Sequence, residues 1–146
     1  MKVKIQRVDK NLPLPVYETS GSVGFDIISR EDITIPAGAL GFIPGNIIVE
    51  VPRNYMLIVA SRSSTPKKKG LLTPHGIGII DHDYCGPEDE IRIQVYNFTG
   101  REVIVRRGDK VAHGVFVHID KFDWEEVERM LNQNRGGFGS TGGHSP

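Results

Sequence analysis

Ten short runs rich in Val, Ile and Tyr, punctuated by Gly, Pro and Asn, direct this chain of 146 residues toward sheets. The candidate strands are Lys2–Arg7, Gly24–Ser29, Asp32–Ile35, Ala39–Pro44, Ile47–Val51, Tyr55–Ser61, Gly76–Asp81, Glu90–Phe98, Glu102–Arg106 and Lys110–Ile119. Ile91-Arg92-Ile93-Gln94-Val95-Tyr96 alternates apolar and polar side chains, as a sheet wet on one face requires. Pro36-Ala37-Gly38, Pro44-Gly45-Asn46 and Arg107-Gly108-Asp109 read as tight turns. One helix is expected late. Asp123 caps it, Glu126 completes a capping box, Trp124, Val127 and Leu131 make its apolar stripe, and Asn132 to Arg135 end it. Many short strands with one late helix imply an all-β jelly roll, sandwich or distorted barrel. Neither a repeat nor a second domain is visible. Residues 1–134 form the expected domain, and 135–146 a flexible Gly-rich arm.

Charge and cysteine narrow the function classes. Eighteen basic side chains balance eighteen acidic ones, so no broad basic field invites nucleic acid. Cys85 is the only cysteine, which excludes an internal disulfide and points to a reducing compartment. No apolar run approaches the length of a membrane span, and Met1-Lys2-Val3-Lys4-Ile5-Gln6 lacks the apolar centre of a signal peptide. The expectation is a soluble, cytoplasmic protein.

Five segments carry the candidate chemistry. Val23-Gly24-Phe25-Asp26-Ile27 sets one carboxylate in an apolar strand, where it can hold the water shell of a magnesium ion or pair with an arginine. Ser61-Arg62-Ser63-Ser64 leaves a strand with a guanidinium and hydroxyls suited to phosphate oxygens, or is an ordinary polar loop. Lys67-Lys68-Lys69 reads as solvated surface. In Gly76-Ile77-Gly78-Ile79-Ile80-Asp81-His82-Asp83-Tyr84-Cys85-Gly86, an apolar strand delivers Asp81 where the run turns polar. That carboxylate is a general-base candidate, with Tyr84 placed to pack on a sugar; alternatively Asp81 bonds its own backbone in a turn. Arg106-Arg107-Gly108-Asp109-Lys110-Val111-Ala112-His113 places a turn beside a histidine. Arg135-Gly136-Gly137-Phe138-Gly139-Ser140-Thr141-Gly142-Gly143 holds five glycines, an arginine, an aromatic ring and two hydroxyls in nine positions: a flexible tail, or a strap for a phosphorylated base. Other schemes fail. The chain has no G-x-x-x-x-G-K-[ST], no G-x-S-x-G, no paired CxxC and no zinc-ligand spacing. His113 and His118, five apart, would face opposite sides of a strand.

In order, these segments resemble the five motifs of the homotrimeric deoxyuridine triphosphate pyrophosphatases (dUTPases), covering about residues 21 to 142. The resemblance implies a jelly-roll trimer whose three sites lie between subunits, with the third motif from a neighbour and the tail from another. It implies that dUTP and water give dUMP and pyrophosphate, with Mg²⁺ carried mainly by the triphosphate. Asp81 would activate the attacking water. Arg62, Ser63 and Ser64 would hold the phosphate chain, and Asp26 would act through metal-bound water. Tyr84 would lie under the deoxyribose and leave no room for a 2′-hydroxyl. Thr73-Pro74-His75-Gly76, at a hairpin tip, would read uracil together with Ile77 and Gly78. Phe138 and Gly139 would close over the base, while Arg135, Ser140 and Thr141 clamp the γ-phosphate.

Three positions and one segment depart from that family pattern. His113 stands where relatives carry glutamine, and can also donate to phosphate. His75 stands where many carry asparagine. Arg135 lies closer to Phe138 than usual, and Pro87-Glu88-Asp89-Glu90 looks like an insertion.

Two rivals share the fold. A deoxycytidine triphosphate deaminase would need a glutamate where this chain has Gln94, whose amide cannot cycle a proton. A non-catalytic nucleotide-binding module would have no use for a positioned Asp81.

Overall fold

A computed structural model describes residues 1–137. Its strands are β1 (Lys4–Arg7), β2 (Phe25–Ile28), β3 (Ile33–Ile35), β4 (Leu40–Pro44), β5 (Ile47–Glu50), β6 (Tyr55–Ser61), β7 (Leu71–Leu72), β8 (Ile77–Ile80), β9 (Arg92–Asn97), β10 (Val103–Val105) and β11 (Lys110–His118), with one helix, α1 (Thr65–Lys69), between β6 and β7. They pair into four antiparallel sheets ordered β1-β5, β10-β3, β2-β11-β6-β8 and β4-β9-β7. Ten of these strands fall within the expected runs. The eleventh, β7, is only two residues long and carries no alternation to read.

Inward-facing aliphatic residues fuse the sheets into one core. Ile27, Ile35, Ile43, Leu57, Leu71, Ile91 and Val105 are all essentially inaccessible to water. Each contributes roughly 1.5–3 kcal/mol through its burial. In β9, Ile93, Val95 and Asn97 point inward and Arg92, Gln94 and Tyr96 outward, as the alternation requires. Asn97 is buried yet satisfied: Nδ2 donates to the carbonyls of Ile35, Pro36 and Arg101, while Oδ1 accepts from Thr99. β11 is the spine of the four-stranded sheet, bonded to β2 on one side and β6 on the other. Gly114 permits this close layering, since a Cβ there would lie 2.4 Å from the Phe25 ring.

The helix is not where the periodicity placed it. Residues 119–137 hold no helix or strand, and Trp124 is fully exposed. The stripe of Trp124, Val127 and Leu131 has no described surface to bury against, and a helix this short does not persist without one. The helix that forms instead has Pro66 in its first turn, three lysines in its last and Gly70 as a left-handed cap (φ +67°). The Thr73–Gly76 segment is likewise not a hairpin tip. Its flanking strands belong to different sheets, β7 pairing with β9 and β8 with β6. Among the described residues, no helix is long and apolar enough to cross a membrane.

Candidate functional site

Strand register brings three of the five segments together. His113 on β11 lies directly opposite Asp26 on β2 and Ala60 on β6, and Ser61 pairs with Ala112 where β6 runs into Arg62. Asp26 is 7% exposed and faces two cations and an imidazole. Arg62 Nε lies 2.9 Å from Oδ1, His113 Nε2 lies 3.0 Å from Oδ1, and Lys110 Nζ lies 2.8 Å from Oδ2. Lys110 also pairs with Glu18. Burial pushes the Asp26 carboxyl up, but the Lys110 bond and the charges of Arg62, Lys110 and His113 outweigh it and hold the group below the usual carboxylate value.

The arginine pairing foreseen for Asp26 is therefore present. Arg62 is turned inward, with Nη1 donating to the Lys110 carbonyl at 3.4 Å. Its Nε and Asp26 Oδ1 touch as an ion pair, and neither atom makes an aligned hydrogen bond. Ser63 is exposed, and Ser64, at the N-cap of α1, makes no capping bond. Lys69 is not free surface: Nζ reaches Asp109 Oδ2 at 2.6 Å, and that oxygen also accepts the Arg106 N–H, tying α1 to the β10–β11 turn. Lys110 and Glu18 were not foreseen as site residues. Lys110 lies inside the fourth segment, whereas nothing near Glu18 in the sequence marks it. A recess of about 500 Å³ opens beside Asp26, Arg62, Lys110 and His113, lined also by Glu18 and Ser22. A separate apolar recess lined by Tyr17, Phe25, Tyr55 and Phe116 contains no candidate site residue.

Asp81 is elsewhere. β8 is an edge strand, and Leu57 pairs with Ile80, so Asp81 leaves β8 level with Met56. Arg62, just past Ser61, lies six residues further along the strand. At about 3.3 Å per residue, roughly 20 Å of strand separates the two levels. Asp81 is exposed, and its carboxylate makes no hydrogen bond or ion pair with any described residue; only its carbonyl accepts, from the Tyr84 N–H at 3.3 Å. Tyr84 is 40% exposed and its hydroxyl donates to the Glu90 carbonyl at 3.4 Å. His75, Ile77 and Gly78 sit at the other end of β8, level with Ala60 and Val59. One chain thus brings Asp26, Arg62, Lys110 and His113 into contact, with Ser63 and Ser64 following Arg62 in sequence, and holds Asp81 and Tyr84 apart from them. Arg135 is exposed and makes no bond to a described residue. Phe138, Gly139, Ser140 and Thr141 lie outside the described residues.

Among the described residues, no three His, Cys, Asp or Glu side chains converge to hold a metal ion. Asp26 Oδ1 does lack an aligned donor. The donor set suits an ion that arrives on an anionic substrate and is met through water, rather than one caged by the protein.

Solved structures carry the same fold. A dUTPase from Streptococcus mutans superposes with a TM-score of 0.77 at 32% identity, covering 82% of this chain and 98% of its own. A Staphylococcus bacteriophage 80alpha dUTPase variant with dUpNHpp gives a TM-score of 0.86 at 20% identity, covering 97% and 98%. The fold is the jelly roll of a class of nucleotide hydrolases. The dUTPase family profile matches residues 10–142, and the deoxyuridine 5′-triphosphate nucleotidohydrolase of Dictyoglomus turgidum is 36% identical over 97% of this chain and 99% of its own length. The chain belongs to the dUTPase family, and its reaction is the hydrolysis of dUTP. The deaminase and the non-catalytic module are set aside.

Proposed function

We propose that hydrolysis proceeds by in-line attack of water on the α-phosphorus, with Asp81 of one subunit as the general base for a triphosphate held by Ser63, Ser64 and His113 of another. Asp81 takes a proton from the water while the new O–P bond forms. The α–β bridging oxygen departs with pyrophosphate, leaving dUMP. One observation carries this reading: Asp81 is exposed, with no described partner for its carboxylate, about 20 Å of strand away from the Arg62 level, so a second copy is needed to bring the two together. A homotrimer with shared sites satisfies that need. In it, Arg62 works chiefly through Asp26 and Lys110, fixing the serine loop that follows it.

Tyr84 is the platform for the deoxyribose, and His75, Ile77 and Gly78 present uracil's partners at the start of β8. Backbone groups that fit uracil leave buried polar atoms unpaired against cytosine. Residues 135–146 act as an arm beyond a domain of residues 1–134, with Arg135, Phe138, Gly139, Ser140 and Thr141 closing over base and γ-phosphate. Mg²⁺ carried on the triphosphate would neutralise charge on the phosphate oxygens, and Asp26 would be the residue that meets it, through water.

Hydrolysis in ¹⁸O-labelled water tests the point of attack. The label is expected in dUMP; label in pyrophosphate would place the attack on the β-phosphorus and remove Asp81 from the role.

A further inference from the structure

Pro87-Glu88-Asp89-Glu90 takes no part in the chemistry proposed above, yet two of its three carboxylates are committed to definite partners. Asp89 Oδ2 accepts the Gly86 N–H at 2.7 Å, and the Asp89 N–H returns to the Gly86 carbonyl at 3.1 Å, closing a tight turn. Glu88 remains exposed. Glu90 is 8% exposed and fully engaged. Its Oε1 accepts from Arg30 Nε at 2.9 Å and from the Asn46 N–H at 2.8 Å, and its Oε2 accepts from Arg30 Nη2 at 3.1 Å.

The groups that hold Glu90 are themselves fixed. The Arg30 N–H bonds the Pro44 carbonyl at 2.8 Å. In the β4–β5 turn, the Gly45 N–H bonds the Ile91 carbonyl at 2.8 Å, so closely that a Cβ at Gly45 would lie 2.7 Å from that oxygen. The Ile91 N–H bonds the Ile47 carbonyl at 2.9 Å. The backbone at Glu90–Ile91 is thus laced to the core by its side chain and by the next residue. The Glu90 carbonyl is the acceptor for the Tyr84 hydroxyl. A buried pair of this kind adds little net stability compared with apolar residues of the same shape. Its distinctive effect is to fix the position of one carbonyl group.

The geometry points to Glu90 as a positioning residue: clamped by Arg30 and the Asn46 N–H, it holds the carbonyl that orients the Tyr84 ring, and so sets how strictly the site rejects a ribonucleotide. This rests on the reading of Tyr84 as the sugar platform. A ring free to tilt leaves room for a 2′-hydroxyl, so loosening the clamp weakens rejection of UTP without touching the base or the phosphates.

The test compares kcat/KM for dUTP and for UTP in Tyr84→Phe, Glu90→Gln, their combination and Tyr84→Ala, with the thermal midpoint of each. The preference for dUTP is expected to fall about fivefold in Tyr84→Phe and in Glu90→Gln, and no further in the combination, because both break one connection. Tyr84→Ala is expected to abolish most of the preference. An unchanged preference in Tyr84→Phe and Glu90→Gln, with only a lowered midpoint in the second, overturns the positioning role; a collapse in Tyr84→Ala would then leave the platform reading standing. An unchanged preference in Tyr84→Ala overturns both. Should Glu90→Gln not fold, Arg30→Lys keeps the charge but loses the forked bond, and the same fall is expected of it.

Discussion

Asp26 and Asp81 are the same residue type in opposite circumstances. Asp26 is buried in a sheet interior among Arg62, Lys110 and His113. Asp81 stands at the end of an edge strand with no described partner for its carboxylate. A carboxylate ringed by cations is fixed in its ionised form and holds strands together. One with free lone pairs can accept a proton from a substrate-bound water. The two carboxylates lie at opposite ends of one sheet, and on the proposed mechanism one serves structure and the other chemistry, with assembly bringing the two ends together.

The sharpest way to break that comparison is Asp81→Asn. Hydrolysis is expected to fall about a thousandfold, within the range for a lost general base, while dUpNHpp binding and the thermal midpoint stay near those of the parent. Retained turnover, measured as pyrophosphate release, would put the base elsewhere. Asp26→Asn should do the reverse to stability. It removes the negative charge from a cluster of cations and is expected to lower stability by about 2 kcal/mol, or the midpoint by roughly 8 °C, in a calorimetric scan. The figure lies below that for a fully buried pair because Lys110 and His113 are 40% and 43% exposed and solvent screens them.

Acid sharpens the same contrast. The folded-state pKa of Asp26 lies below its ordinary value of 3.8. Its contribution to stability is therefore complete above that value and is lost as pH falls through the folded-state pKa. Urea midpoints measured from pH 6 down to pH 3 should drop less steeply in Asp26→Asn than in the parent. An equal slope would mean that Asp26 is not held by its cations. The smallest effect is expected at Lys69→Met, which removes the partly exposed pair with Asp109 and should lower stability by about 0.5 kcal/mol in urea unfolding.

Much of this was legible in the sequence, because strand alternation is a local signal. β6 occupies its expected run, and β9 shows its predicted inside and outside faces. Asp26, Arg62 and His113 were also legible as candidates. Their mutual contact was not, because it depends on β2, β11 and β6 becoming neighbours. The Arg30–Glu90 pair spans sixty positions and has no local trace. The late helix failed for a related reason: Trp124, Val127 and Leu131 have the period of a helix but no described surface to cover. α1 was missed because Pro66 and three lysines look like a solvated loop, whereas Pro66 opens the helix and Lys69 is anchored by Asp109.

The most direct test is subunit complementation. Asp81→Asn keeps the serine loop and lacks the base; the Ser63→Ala/Ser64→Ala double variant keeps the base and is expected to lose about a hundredfold through its missing phosphate bonds. Unfolded together in equal amounts and refolded, the two should recover about a quarter of parental pyrophosphate release, the share of sites that draw an intact base and an intact loop from different chains. Activity no greater than the average of the two variants refolded separately would mean that Asp81 acts on phosphates held by its own chain.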